Sequence, residues 1–276
     1  MLHLDSHVWA KLSGPYGTAE QLPALLQRLE QAYSRDVFDE LFQEYLYHQN
    51  TIYPATYAAM PYLARIACAT DDAVVRQELF LNGGIIEAAR DELDEATFLA
   101  AWPELAEEIG GPACVELYSG YLDAVGELRS LTEQVLAAAA EHADDMEKRY
   151  LLIADTAYRG DHIVANILLT FVQGDEYVGV CPSCEEEIYI WPVADDTAVL
   201  QAFASDPVFE PEQEPQPIVP DPSCGEAETR VLAERAAVIG ERTWTDHLPY
   251  LAGMASCPSC SEQVRLWPAI QSTFEI

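Results

Sequence analysis

Positive charge is what this chain has least of. Lysine occurs twice and arginine twelve times against 47 Asp and Glu, a formal net charge of −33 at pH 7 over 276 residues. A nucleic-acid binder needs cationic side chains to replace phosphate counterions, so this balance argues against nucleic acid as a partner. Anionic membrane surfaces are disfavoured for the same reason. Long apolar runs are also missing: no stretch approaches the roughly 18 residues that span a bilayer. The N-terminal MLHLDSHVWAKLSG has neither a basic n-region nor an apolar h-region, which predicts a cytoplasmic protein without an export signal. No G-x-S-x-G, P-loop, G-x-G-x-x-G or H-E-x-x-H occurs, and His3, His7, His48, His142, His162 and His247 are scattered singly. These absences point away from an enzyme.

What is there is acid, and it comes in blocks. Ten acidic residues and no base lie between Asp91 and Leu128, and fifteen between Gly160 and Thr229. Half of the chain is hydrophobic, so wholesale disorder is excluded despite the charge. Two readings of the acidity stay open. One is a compositional bias, in keeping with the preference for Arg over Lys. The other is a surface that meets a basic partner, because acidic patches steer association with cationic ones.

Residues 18–172 read as successive helices. TAEQLPALLQRLEQAY places Leu22, Leu25, Leu26 and Leu29 on one face, with Thr18 as the expected N-cap. RDVFDELFQEYLYHQ repeats the pattern, and Asn82-Gly83-Gly84 reads as a helix stop. Further helix is expected over 96–109, 114–142, 144–158 and 163–172, with Asp71-Asp72 and Asp144-Asp145 as caps. The expected fold is mainly α: a HEAT-like α-solenoid or helical bundle with a small β-hairpin module. Residues 1–172 form the helical domain. Residues 173–276 form the second module (173–194 and 249–276), which carries an inserted acidic loop (206–222) and a helical segment (225–248). That loop, DPVFEPEQEPQPIVPDP, has six prolines and five acids, which predicts an extended, solvated segment. A short helix is expected at DDTAVLQAFAS, and only a brief turn near Trp244–Leu248.

Seven cysteines without an export signal do not suggest a disulfide framework. Four of them form a duplicated motif, CPSCEEEIYIWP from Cys181 and CPSCSEQVRLWP from Cys257. A C-P-x-C turn between two strands has the form of a zinc knuckle. One knuckle offers two thiolates and a closed structural site needs four, so Cys181, Cys184, Cys257 and Cys260 are expected to hold one structural Zn²⁺ per chain. A dithiol redox centre, or a metal shared across a dimer, remain alternatives. Cys68 and Cys114 read as small core residues, Cys224 sits at the end of the acidic loop, and Trp191-Pro192 and Trp267-Pro268 read as packing plugs.

The run His48-Gln49-Asn50-Thr51 with Tyr53, leading into Ala58-Ala59-Met60-Pro61-Tyr62-Leu63, resembles a group of bacterial HEAT-like proteins with an HQGT-x-Y element. So does Phe171 to Ile190, FVQGDEYVGVCPSCEEEIYI, where in that group a zinc knuckle follows the helices. Asn50 stands where the group has Gly. Some HEAT-like proteins resemble immunity proteins that neutralise toxins of competing bacteria. The resemblance thus implies a non-enzymatic binding protein, and the acidic surface points to a basic protein partner, such as a toxin or nuclease effector. Asp91, Glu92, Asp94, Glu95, Glu104, Glu107 and Glu108 are the candidate contacts. An intracellular adaptor or regulatory scaffold is the alternative, since fold does not fix function.

Overall fold

The computed structural model describes residues 1–91 and 94–274. The chain divides into two compact units, Met1–Val135 with Ala157–His162, and Leu136–Thr156 with Ile163–Ile276. The division falls inside α8 (Thr132–His142) and α9 (Asp145–Tyr158) and after the first residue of α10 (His162–Thr170), whereas the sequence places a boundary at residue 172. A continuous helix can serve two cores with no Gly- or Pro-rich linker, so composition does not mark the crossing.

The first unit opens with a 3-10 turn at His7–Lys11, capped by Ser6, whose Oγ accepts from Val8 N at 3.2 Å. Two short hairpins flank the first helices: β1 (Ser13–Gly14) with β2 (Gly17–Thr18), and β3 (Tyr47–His48) with β4 (Thr51–Ile52). Between them lie α1 (Leu22–Gln31), α2 (Arg35–Leu41) and a π turn at Phe42–Leu46. Thr18 is not the cap of α1. It pairs with Ser13 across the first hairpin, and α1 starts after Gln21 with Pro23 in its first turn, where a missing N–H leaves no bond unmade. The leucine stripe Leu22, Leu25, Leu26 and Leu29 is buried, as its period requires.

At the centre of this unit lies α3 (Pro54–Ala69), buried from Pro54 through Met60 and again at Tyr62, Leu63, Ala64 and Ala67. It packs on α1, α4 (Ala73–Ala88) and α7 (Gly111–Ser130). Asp72 caps α4 by accepting from Val74 N at 2.9 Å. The expected stop at Asn82-Gly83-Gly84 does not occur, and α4 runs on to Ala88. A Cβ on Gly83 would lie 2.7 Å from Tyr158 Oη and 2.8 Å from Leu128 Cδ1, so glycine there permits close packing rather than ending the helix. The helix expected over 96–109 is two, α5 (Glu95–Ala101) and α6 (Pro103–Ile109). Pro103 disfavours helical geometry at the residue before it, and Trp102 sits at φ −122°, ψ 58°.

The second unit includes most of α10 (His162–Thr170) and a six-stranded antiparallel sheet, larger than the hairpin module expected. Its strands are β5 (Tyr177–Val180), β6 (Glu187–Val193), β7 (Asp196–Phe203), β8 (Gln216–Val219), β9 (Met254–Ser256) and β10 (Gln263–Arg265), in the order β10-β9-β8-β7-β6-β5. Helices α11 (Ala227–Ile239), α12 (Arg242–Leu251) and α13 (Leu266–Gln271) complete it. DDTAVLQAFAS is strand, not helix: β7 pairs with both β6 and β8, and Leu200 and Ala202 turn inward at the period of two. The acidic loop is not extended throughout: Phe209 N and Glu210 N donate back to Asp206 O and Gln213 folds onto Ala204 and Ser205, and only Gln216–Val219 is extended, paired as β8. The brief turn expected near Trp244–Leu248 is the ten-residue α12, whose start is capped by the buried Glu241 carboxylate. α12 packs on β7 and α13 on β5, placing Trp244, Leu248, Trp267 and Ile270 in the core.

Candidate metal centre

The two knuckles have the same backbone. In the first, Cys181 N donates to Glu186 O at 2.9 Å and Glu185 N to Cys181 O at 2.9 Å. In the second, Cys257 N donates to Glu262 O at 2.7 Å and Ser261 N to Cys257 O at 2.9 Å. Each turn closes through a left-handed residue at the same place, Glu185 at φ 61° and Ser261 at φ 65°. The repeats part company afterwards. The first stays extended through Trp191-Pro192 because β6 has a neighbour on either side. The second leaves the sheet edge at Leu266 and becomes α13, which buries Trp267 completely while Trp191 is half-buried.

The hairpin β5–β6 occupies one end of the sheet and β9–β10 the other. In a flat sheet, at about 4.8 Å per strand, the hairpin centres would be about 19 Å apart. Instead the four sulfurs lie within 4.8 Å of one another, so the sheet curls until its ends meet. Cys181 Sγ is 3.8 Å from Cys260 Sγ, and Cys184 Sγ is 3.8 Å from Cys257 Sγ. Those separations are far beyond a disulfide. They match the edge of a tetrahedron whose centre is about 2.3 Å from each sulfur, roughly 3.8 Å, the size of a four-thiolate metal site. Among the described residues, Cys181, Cys184, Cys257 and Cys260 are the one group placed to hold an ion.

The electrostatics ask for a cation. Burial works against a Cys181 thiolate, but N–H groups of Ser183 and Cys184 point at the sulfur and bring its pKa down to about 7. At Cys184 the Glu186 N–H favours the thiolate, yet burial and the neighbouring sulfurs dominate and push the thiol up to about 12. Cys260 is raised too: its Glu262 N–H is outweighed by burial and by Cys257 and Cys181. Four sulfurs this close repel one another as thiolates, and a divalent ion at their centre would offset that repulsion.

The other cysteines lie elsewhere. Cys114 and Cys224 are buried, whereas Cys68 is exposed and not the core residue expected; it lies near the end of α3, its Sγ 4.0 Å from Glu127 O of α7. Of the candidate contacts, Asp91, Asp94, Glu95, Glu104, Glu107 and Glu108 are exposed, and Glu92 lies outside the described residues. Asp94 caps α5 by accepting from Thr97 N at 2.8 Å, and hydrogen bonds from Thr97 hold its pKa below the usual value. Lys11 stands 3.8 Å from Glu108.

Two buried polar clusters escaped the sequence. In the first unit, Arg90 donates to Glu87 at 2.7 and 3.0 Å, Tyr121 Oη donates to Glu87 at 2.7 Å, and His162 Nε2 is 3.5 Å away. Burial lowers the His162 pKa. In the second unit, Arg149 donates to Glu241 at 3.0 Å and to Val172 O and Gln173 O, while Glu241 accepts from Thr243 N and Trp244 N. Glu87 and Arg90 look like an ordinary i,i+3 surface pair, and only the buried surroundings distinguish them. A comparison of the chain with family models, with curated proteins and with solved structures finds no match in any of the three.

Proposed function

We propose that this chain is a non-enzymatic protein-binding protein of the immunity class, which neutralises a cognate bacterial toxin through an acidic surface in the cytoplasm. The observation that carries this reading is the exposure of Glu104, Glu107 and Glu108 on α6, next to Asp94 and Glu95 at the start of α5. Among the described residues, Lys11 supplies the one ion pair to this block. Glu104 and Glu107, which have no cationic neighbour among the described residues, are available to a basic cleft, where they would take the place of phosphate groups. The ion at the four cysteines is, in this reading, a structural Zn²⁺: four thiolates fill its coordination and leave no position for a substrate. It would close the curled sheet, and free thiolates suit a reducing compartment. The helical unit serves as the scaffold. A bundle describes it better than a strict HEAT-like stack at α3, which packs on α7 as well as on its sequence neighbours.

The test starts from the gene's neighbours: this reading expects a secreted toxin encoded beside it, and the absence of one counts against the reading. The association rate of that toxin should fall steeply between about 20 and 300 mM salt, and reversing Glu104, Glu107 and Glu108 to lysine should slow association at least tenfold. A salt-independent rate, or full neutralisation by the reversed variant, would sink the reading. The adaptor alternative has one observation in its favour. Val208 and Phe209 are 63% and 83% exposed on a turn held by Gln213, whose Oε1 accepts from Ala204 N at 3.1 Å. An adaptor gene would have no toxin gene beside it.

A further inference from the structure

Lys11, Pro54, Trp102, Pro103, Glu104 and Glu108 line a cleft of about 470 Å³ in the first unit. That is within the roughly 300–1,000 Å³ of ligand sites. Pro103 ends α5 and opens α6, which sets Trp102 at the corner between the two helices. The indole is half-buried and lines the cleft. Its Nε1 is buried and meets no acceptor among the described residues, so the ring offers the cleft π surface rather than a donor.

Glu104 and Glu108 stand four residues apart on α6 and so share one face, where like charges repel. Glu108 also lies in the last turn, at the negative end of the helix dipole. Both features ask for a cation, and the chain brings one of its own. Lys11 Nζ comes to 3.8 Å from Glu108, with the two side chains 47% and 50% exposed. At that distance and exposure the pair is loose and easily exchanged. Lysine occurs only twice in the chain, and the other, Lys148, belongs to the second unit. Glu104 has no cationic partner among the described residues. The cleft thus already receives an ammonium, and it has a further carboxylate and an aromatic wall to offer a better cation.

We infer that the cleft takes one arginine side chain of the basic protein partner, which displaces Lys11 from Glu108; this rests on the proposed function and names the residue it recognises. A guanidinium is planar and weakly hydrated, so it can lie on the Trp102 ring while its N–H groups reach Glu104 and Glu108 together. An ammonium is a compact, strongly hydrated charge that satisfies one carboxylate, as Lys11 does. A free amino acid would bring its own carboxylate against Glu104, Glu107 and Glu108, whereas an arginine within a chain brings none. Charge decides against a second copy of this chain, since two bodies of −33 repel. An arginine seated in a walled cleft is the kind of residue that dominates an interface.

The test titrates the ¹⁵N-labelled full chain with N-acetyl-arginine methylamide at a constant ionic strength of about 50 mM. The readout is the indole N–H resonance of Trp102, identified by its loss in Trp102→Phe. A saturable shift is expected, with Kd on the order of 1 mM. The blocked lysine should bind about threefold more weakly or worse, and the blocked citrulline, which keeps the shape without the charge, should not bind. Glu104→Gln should raise Kd about fivefold. Lys11→Ala should lower it about threefold by removing the competitor, whereas Lys148→Ala, the same charge change in the other unit, should leave it unchanged. Lys11 and Glu104 are exposed, so unchanged thermal midpoints will show that these variants fold. Citrulline binding as well as arginine overturns the inference, as does a Kd indifferent to Glu104→Gln and Lys11→Ala. Tighter binding of free arginine than of the blocked form overturns it too, by making the cleft an amino-acid site. The two readings fail apart: the cleft can select arginine with no toxin gene nearby, and a toxin steered by salt-sensitive charge can dock with no arginine in the cleft.

Discussion

Single side chains carry much of what is specific here. Cys181 and Cys257 are buried and belong to different knuckles, so replacing either with Ser removes one ligand from the sheet closure. Metal affinity and folding are one free energy in such sites. Elemental analysis should therefore give about one equivalent of zinc for the native chain, as a filled four-thiolate site requires, and loss of it in either variant together with a lower thermal midpoint. Cys68→Ser, on an exposed cysteine, should change neither. Retention of metal by Cys181→Ser and Cys257→Ser alike would exclude the four-thiolate centre. The buried histidines set a pH limit. His247 Nε2 donates to Thr197 O at 2.7 Å and Nδ1 accepts from Tyr177 Oη at 2.8 Å, so the neutral ring fits its site. Burial lowers the pKa of His247, as it does that of His162. A group whose folded pKa lies below its unfolded one binds more protons when unfolded. Stability is then full above about pH 6.5, the unfolded value for histidine, and falls as pH drops toward the folded pKa. Unfolding midpoints measured from pH 7.5 downward should show this loss, and His247→Gln should make it shallower. A flat profile through pH 6 would contradict the assignment.

At the scale of elements, caps and close approaches decide where helices begin and end. Asp72→Ala removes the acceptor for Val74 N and should cost about 1 kcal/mol in denaturant unfolding. Gly83→Ala should cost more, about 1–3 kcal/mol, because Tyr158 Oη and Leu128 Cδ1 must move to admit a methyl group. The contrast between these two sites shows what was legible in the chain. Asp72 is a local signal: an acid before an apolar-periodic run caps a helix whatever surrounds it, and the leucine stripe of α1 is equally local. The two cysteine turns were legible for the same reason, since C-P-x-C between strands sets its own geometry and duplication supplies the partner. Gly83 is not local. The same Asn-Gly-Gly that stops a helix elsewhere lies within α4 because Tyr158 packs against it from 75 positions away in the chain. β7 was hidden likewise: Thr197 to Phe203 has no strong strand preference and is extended because β6 and β8 pair with it on both sides. The curl that brings the two knuckles together is a property of the whole sheet, and no segment of sequence records it.

For the molecule as a whole the governing quantity is the net charge, and it should appear in how stability depends on salt. Among the described residues, no helix is long and apolar enough to cross a membrane. A folded chain of −33 holds its carboxylates closer together than the unfolded chain does, so self-repulsion destabilises the compact state. Four thiolates and one Zn²⁺ would add −2 more, to about −35, and stabilise locally while deepening the global repulsion slightly. Screening acts on all of this. Thermal midpoints should rise as NaCl increases from about 20 to 300 mM, most steeply at the low end, where the Debye length exceeds about 10 Å and distant carboxylates still feel one another. The buried pairs behave differently. Arg90–Glu87 and Arg149–Glu241 are shielded from mobile ions, and truncating one partner breaks a buried ion pair. Glu87→Gln should therefore cost about 3 kcal/mol or more, and by nearly the same amount at both salt concentrations. A midpoint that falls with salt in the native chain would mean that surface ion pairs outweigh repulsion. The scarcity of Lys and Arg excludes that balance unless the two buried arginines are far more solvated than their burial allows.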